Sequence, residues 1–251
     1  MRIDCPSERH FFDLRRIWKE AFGDSDEAID AFWRTAFSPN RARIALMDDA
    51  PVAALYWFEC TYHGQRLAYL YAIATDRSFR GRGICKQLME DTHRHLKYLG
   101  YAGALLVPSE HGLFDFYRKM GYETCSAVED FDCTGEEREL LITPIDKAEY
   151  ATLRRTYLPI GGVIQEGETL DFLEMWEQFW KGEDFLLTGH RIGDCLIGAE
   201  LLGNVAAASR IVHVLGCKRG SFRTVGACRP FAMYHPFDNT YAPTYFGLAL
   251  D

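Results

Sequence analysis

Residues 69–86 read Tyr-Leu-Tyr-Ala-Ile-Ala-Thr-Asp-Arg-Ser-Phe-Arg-Gly-Arg-Gly-Ile-Cys-Lys. A strand-like apolar run enters a loop of glycines and arginines, and from Gly83 onward Ile84, Leu88, His95 or Leu96, and Leu99 recur at helical spacing. Gly81 and Gly83 let backbone N–H groups approach a ligand, the helix start adds partial positive charge, and Arg80, Arg82 and Lys86 add full charges. This combination favours a phosphate or pyrophosphate. The spacing matches neither G-x-x-x-x-G-K-[ST] nor G-x-G-x-x-G, so nucleotide hydrolysis and hydride transfer lose support. The bland alternative is a tight strand-to-helix turn with solvated arginines.

A second constellation follows at 116–122, Phe-Tyr-Arg-Lys-Met-Gly-Tyr. Residues 75–86 resemble motif A of the GNAT acetyltransferases, Arg/Gln-x-x-Gly-x-Gly/Ala, through Arg80, Gly81, Arg82, Gly83, Ile84 and Cys85. Phe116, Tyr117, Gly121 and Tyr122 are similar to that family's Phe-Tyr-x-x-x-Gly-Phe. The resemblance covers roughly residues 1–133. It implies acetyl-CoA as acetyl donor, with the pyrophosphate on the amides of residues 82–86 and the pantetheine against the backbone of Ile73, Ala74 and Thr75. The cofactor-binding set it implies is therefore Ile73, Ala74, Thr75, Arg80, Gly81, Arg82, Gly83, Ile84, Cys85, Lys86 and Glu110, the last at a position where many members carry asparagine. The strand after Leu105 is expected to splay away to admit the thioester.

Acetyl transfer to an amine needs a neutral amine, a polarised carbonyl and a proton donor for the departing thiolate. Tyr117 matches the tyrosine that serves as general acid in family members, and a phenol of ordinary pKa near 10 suits a thiolate leaving group. The alternative for Tyr117 is packing on the cofactor and hydrogen bonding to its sulfur. Glu59 is the candidate base, on a strand from which it could reach the acceptor; a water chain would serve instead. Two departures stand out: Cys85 replaces the last small residue of the loop, and Arg77 replaces the proline usual at the strand-to-loop turn. A thiol at a helix start could also be acidified and reactive.

The elements that must position these groups follow from periodicity. Residues 2–4 open as a short strand. Phe11, Leu14, Ile17, Trp18 and Phe22 mark an amphipathic helix ended by Gly23, and Ile29, Phe32, Trp33 and Phe37 mark a second. Strand-like runs at 43–47, 52–62 and 67–75, joined by turn sequences around Asp48 and His63-Gly64, form an antiparallel meander. A helix at 83–99, a buried strand at 102–107, a helix at 113–120 and a strand at 122–132 complete the unit. The expected fold class is α/β (α+β), with a mixed, mostly antiparallel central sheet flanked by helices, over residues 1–135. A second, smaller α/β domain is expected over 144–251, beyond the polar stretch 134–139. Its helices at 147–157, 169–180 and 205–215 and strands at 185–191, 195–202, 222–225 and 230–234 echo the first unit's order without its motifs. That makes it a candidate degenerate copy, which would wall the acceptor pocket or form a homodimer interface. Its aromatic end, including Phe231, Tyr245 and Phe246, reads mostly as core.

Composition sets the outer limits. The chain has 251 residues, 48% apolar and 25% charged, which is ordinary globular usage. A formal charge of −8, from 36 acidic against 28 basic residues, argues against nucleic-acid and anionic-membrane partners. Eight cysteines without a C-x-x-C pair argue against a structural metal. The start lacks a signal-peptide pattern and no stretch approaches a membrane span, so a soluble cytoplasmic chain is expected. The functional expectation is an N-acetyltransferase moving an acetyl group from acetyl-CoA to a primary amine of a small molecule or protein. The rival is a non-catalytic acyl-CoA-binding or sensor protein. Some larger relatives of aminoglycoside-modifying enzymes place a terminal carboxylate in the active site, a role open to Asp251.

Overall fold

The structure is a computed structural model and describes residues 1–238 and 241–250. Two-residue hairpins build the meander. Met47 pairs with Ala50 and Tyr62 with Gln65, and the residues between them (Asp48, Asp49, His63, Gly64) all take positive φ, as a primed turn requires. The first unit runs β1 (Arg2–Asp4), α1 (Phe11–Phe22), α2 (Asp26–Thr35), β2 (Ala42–Met47), β3 (Ala50–Tyr62), β4 (Gln65–Thr75) and α3 (Ile84–Tyr98). It continues through β5 (Gly103–Leu106), α4 (His111–Arg118), β6 (Glu123–Thr124) and β7 (Ala127–Thr134). Next come β8 (Thr143–Ile145), α5 (Lys147–Tyr157), β9 (Ile164–Gln165), α6 (Glu168–Leu173), β10 (Gln178–Lys181) and β11 (Phe185–Ile192). The chain then forms β12 (Cys195–Gly203), α7 (Ala208–Val214), β13 (Arg219–Val225), β14 (Arg229–Pro230) and β15 (Met233–Pro236).

The strands fall into two sheets of the same design. One is ordered β1-β2-β3-β4-β5-β15-β6, the other β8-β10-β11-β12-β13-β7-β14. In each, a single parallel pair (β4 with β5, β12 with β13) is bridged by a helix, α3 or α7, and the other neighbours are antiparallel. The penultimate strand of each sheet comes from the other half of the chain: β15 lies between β5 and β6, and β7 between β13 and β14. The two sheets thus exchange strands, and the stretch 122–132, expected as one strand, breaks at Cys125-Ser126 into β6 of one sheet and β7 of the other. The helix expected over 169–180 ends at Leu173, and Gln178–Lys181 becomes strand β10 between β8 and β11.

Alternation on β3 explains the layers. Tyr56, Phe58 and Cys60 face α1 and α2, while Leu55 and Trp57 face α3. The first of these cores is continuous with Tyr150 of α5 and with Phe179, Leu186 and Leu202 of the second sheet. A buried ion pair locks that junction: Arg154 Nε and Nη2 donate to Glu200 at 2.7 and 2.9 Å, and the hydroxyls of Tyr150 and Tyr245 donate to the same carboxylate. Residues 245–250 thread into the first core. Gln165 exchanges two hydrogen bonds with Leu248, and the Leu250 amide donates to the Tyr69 hydroxyl.

Candidate active site

β4 and β5 pair only through Leu67–Gly103, Ala68–Ala104 and Tyr69–Leu105. Residues 70–75 then run on beyond the last pair with β5, over about 20 Å at ~3.3 Å per residue. Two features open the slot. A bulge on β4 places Ala72 at φ +47, a conformation an L-residue adopts only at some cost. On the other side β5 stops before Pro108, which has no N–H to extend the ladder. The Asp76 amide donates to Val52 O (2.8 Å), so the alternate position Thr75 turns its own N–H and C=O toward the slot, and Arg80 Nε donates to that carbonyl at 3.0 Å.

The slot leads into the glycine loop. Asp76 anchors its start, accepting from the Ser78 amide and from Arg16 Nη1, each at 2.8 Å. Burial works against the Asp76 charge, but these bonds outweigh it and hold the carboxyl below its ordinary range. Gly81 and Gly83 take φ of +75° and +74°, and a Cβ on Gly81 would meet nothing within 4 Å, so the surface above the loop is open. Gly83 caps α3 without a side-chain hydrogen bond, so the first-turn amides of Ile84, Cys85 and Lys86 have no side-chain cap. Arg77, Arg80, Arg82 and Lys86 are exposed around this turn, with Arg82 lying 5.1 Å over the Phe79 ring.

Tyr117 projects from α4 into the apolar cluster that holds Ile73, Ile84, Cys85, Leu70 and Leu106. The residue is 7% exposed. Burial, and then the neighbouring Cys85, raise its pKa, so it stays protonated but is a weaker acid than the ordinary phenol whose pKa matches a thiolate. Cys85 itself is pushed up to about 11 by burial, the reverse of the acidification that a helix start suggests. At neutral pH the Cys85 thiol is therefore protonated rather than a reactive thiolate.

The structure thus brings together Ile73, Ala74, Thr75, the loop 80–86 and Tyr117. Glu110 stands exposed just before α4, making no side-chain cap. Glu59 is engaged elsewhere. Its carboxylate accepts from Arg66 at 2.7 Å and from the Tyr101 hydroxyl at 3.0 Å, and Arg66 holds its pKa down. It sits opposite Ala68, in the closed part of the β4–β5 pair and on the α3 side. What the sequence reading missed is an aromatic wall on the α1–α2 face: Tyr69, Tyr71, Phe58, Phe32 and Phe172, with Phe246 4.7 Å from Tyr69. Its only signal was aromatic spacing, which reads equally as core. Asp251 lies outside the described residues.

The second sheet lacks these features. β12 and β13 stay paired as far as Leu201 and Thr224, across a register shift between Gly198 and Leu201; there the Thr224 hydroxyl donates to Leu201 O at 2.7 Å, and no helix separates β13 from β14. Among the described residues no cluster of three or more His, Cys, Asp or Glu could hold a metal ion, and no helix is long and apolar enough to cross a membrane.

Comparison with known proteins places the first unit. Residues 3–125 match the acetyltransferase (GNAT) domain family. No curated protein matches the sequence. A GCN5-related N-acetyltransferase from Kribbella flavida is similar in fold, with TM-score 0.73 and 17% identity over 94% of this chain and 71% of that one. A probable N-acyltransferase from Enterococcus faecalis gives 0.71 and 15% over 94% and 72%. A putative acetyltransferase from Pyrococcus horikoshii gives 0.63 and 13% over 98% and 93%.

Proposed function

Residues 3–125 form a GNAT acetyltransferase domain, and from that premise we propose that the protein moves an acetyl group from acetyl-CoA to a primary amine of a small molecule or protein. The observation that carries the reading is the continuity of the open β4–β5 slot with the uncapped first turn of α3, with Tyr117 beside both. The residues fit the donor: a strand edge that runs on past its last pair with β5 suits a ligand with amides, and helix-start amides without a side-chain cap, under an open glycine, suit a pyrophosphate. Acetyl-CoA would supply an activated thioester.

The chain's own part is binding, orientation and one proton. Thr75 and Ile73 hydrogen-bond along the slot, and the amides of residues 82–86, with Arg80, Arg82 and Lys86, hold the phosphates. Tyr117, kept protonated by burial, donates its proton as the thiolate departs. With Glu59 tied to Arg66 and Tyr101, the amine's proton passes to solvent, and solvent returns a proton to Tyr117, so that the net products are the amide and the CoA thiol. The second unit, whose corresponding slot is closed, acts as scaffold.

Titration with acetyl-CoA tests the site. Gly83→Glu puts a carboxylate and a strained left-handed residue where phosphates are expected, and binding should fall at least tenfold; equal affinity would refute the loop assignment. Free CoA release with polyamines, aminoglycosides or lysine peptides tests catalysis. Tyr117→Phe should lower kcat by roughly 10²-fold or more with binding retained, as expected for loss of a general acid. Acetyl-CoA binding without turnover of any amine would favour the non-catalytic binder instead.

A further inference from the structure

Tyr122, one residue past the turn glycine of the Tyr117 motif, buries its ring and hydroxyl completely. A buried hydroxyl needs a partner, and it has one: His93 Nε2 on α3 lies 2.7 Å from it. The His93 ring stacks on His235 of β15, centroids 4.5 Å apart and planes at 20°. His235 Nδ1 lies 2.8 Å from Gly121 O, and because a carbonyl only accepts, that nitrogen carries the proton and donates. Gly121 is at φ +85, and a Cβ there would come within 2.9 Å of the His235 imidazole, so the turn is gripped closely.

This grip reaches Tyr117. The Tyr117 carbonyl accepts from the amides of Met120 (2.9 Å) and Tyr122 (3.2 Å), and the rings of Tyr117 and Tyr122 meet edge to face at 5.9 Å. His93 and the phosphate-facing turn at Ile84 belong to one helix, nine residues or about 13.5 Å apart. A single rigid element therefore carries the proposed cofactor anchor at its start and the partner of Tyr122 further along.

We propose that His93 and Tyr122 are positioning residues: the Tyr122–His93 hydrogen bond, backed by His235, sets the Tyr117 ring against the first turn of α3. This rests on the reading of Tyr117 as proton donor. Without the bond the Tyr117 motif keeps its fold but loses its tie to α3, and a misplacement of well under 1 Å costs roughly tenfold in rate.

The test uses the full chain and five variants: Tyr122→Phe, His93→Phe, the double variant, His93→Gln and Tyr117→Phe. With acetyl-CoA and the best amine of spermidine, kanamycin and a lysine peptide, Tyr122→Phe and His93→Phe should each lose about tenfold in kcat with KM for acetyl-CoA unchanged. The double variant should be no worse than either, and His93→Gln, whose side-chain oxygen can accept from Tyr122, should recover most of the rate. Full kcat in Tyr122→Phe while Tyr117→Phe is impaired would overturn the positioning role alone. Full kcat in Tyr117→Phe would instead overturn the donor reading. Independently of any amine, 3-fluorotyrosine at position 117 should give one sharp 19F resonance in the otherwise wild-type protein and with His93→Gln, and a shifted or broadened one with Tyr122→Phe. An unchanged resonance in Tyr122→Phe would overturn the proposal.

Discussion

Acid should destabilise this protein in part through His93. Burial, with the neighbouring His235 adding to it, lowers the His93 pKa to about 3, against about 6.5 for an unfolded chain. Between these values the unfolded state binds one proton more than the folded state, so stability falls as pH drops from 6.5 toward 3 and is unaffected by this group above 7. The slope approaches about 1.4 kcal/mol per pH unit, and between pH 7 and 4.5 the loss integrates to about 2.5 kcal/mol. His93→Gln keeps a hydrogen-bonding partner for Tyr122 but does not titrate. Urea unfolding of both proteins from pH 4.5 to 8 isolates the term, because His10 and His95, also lowered, are common to both. The two proteins should differ little above pH 7. Toward pH 4.5 the wild type should lose about 2.5 kcal/mol more than the variant. Parallel curves would mean that His93 is not held neutral.

Other expectations concern the rest of the molecule. Arg154→Met leaves Glu200 buried without its cation and should cost about 3–5 kcal/mol, read as a fall in Tm, with much of it regained in Arg154→Met/Glu200→Leu. Glu59→Gln breaks a half-exposed pair with Arg66 and should change stability by less than about 1 kcal/mol and leave kcat within twofold; a tenfold loss of kcat would return Glu59 to the candidate base position. Cys85, with its thiol pushed up to about 11, should react with iodoacetamide at pH 8 far more slowly than exposed Cys228, as peptide mapping would show.

Which of these features the sequence makes readable depends on the range of the interactions that specify them. The meander, α3 and the glycine loop rest on neighbours: Asp48-Asp49 and His63-Gly64 turn the chain within two residues, and Gly81 and Gly83 supply positive φ where the helix begins. Those elements appear where periodicity predicts them. At Gln178–Lys181 local pattern was ambiguous, since Leu170, Leu173, Trp176 and Trp180 fit helical spacing. Phe179 and Trp180 instead enter different cores on opposite faces of β10, which only pairing with β8 and β11 can arrange. The break at Cys125-Ser126 was illegible for a stronger reason. Ser126 is buried by contacts 120 residues away, its hydroxyl exchanging hydrogen bonds with the backbone of Phe246, and only a partner sheet built from the other half can draw Ala127–Thr134 out of line with β6. Glu59 shows the same limit for chemistry. A carboxylate on a central strand suits a base by type, but Arg66 and Tyr101 decide its charge and reach. Tyr117 was readable because its motif is local, whereas what holds it comes from α3 through His93 and from β15 through His235. The strand exchange therefore bears on the site: the second unit lacks the slot's chemistry, yet it supplies the strand carrying His235, so weakening its packing should disturb the first unit's Tyr117 turn before it disturbs the glycine loop.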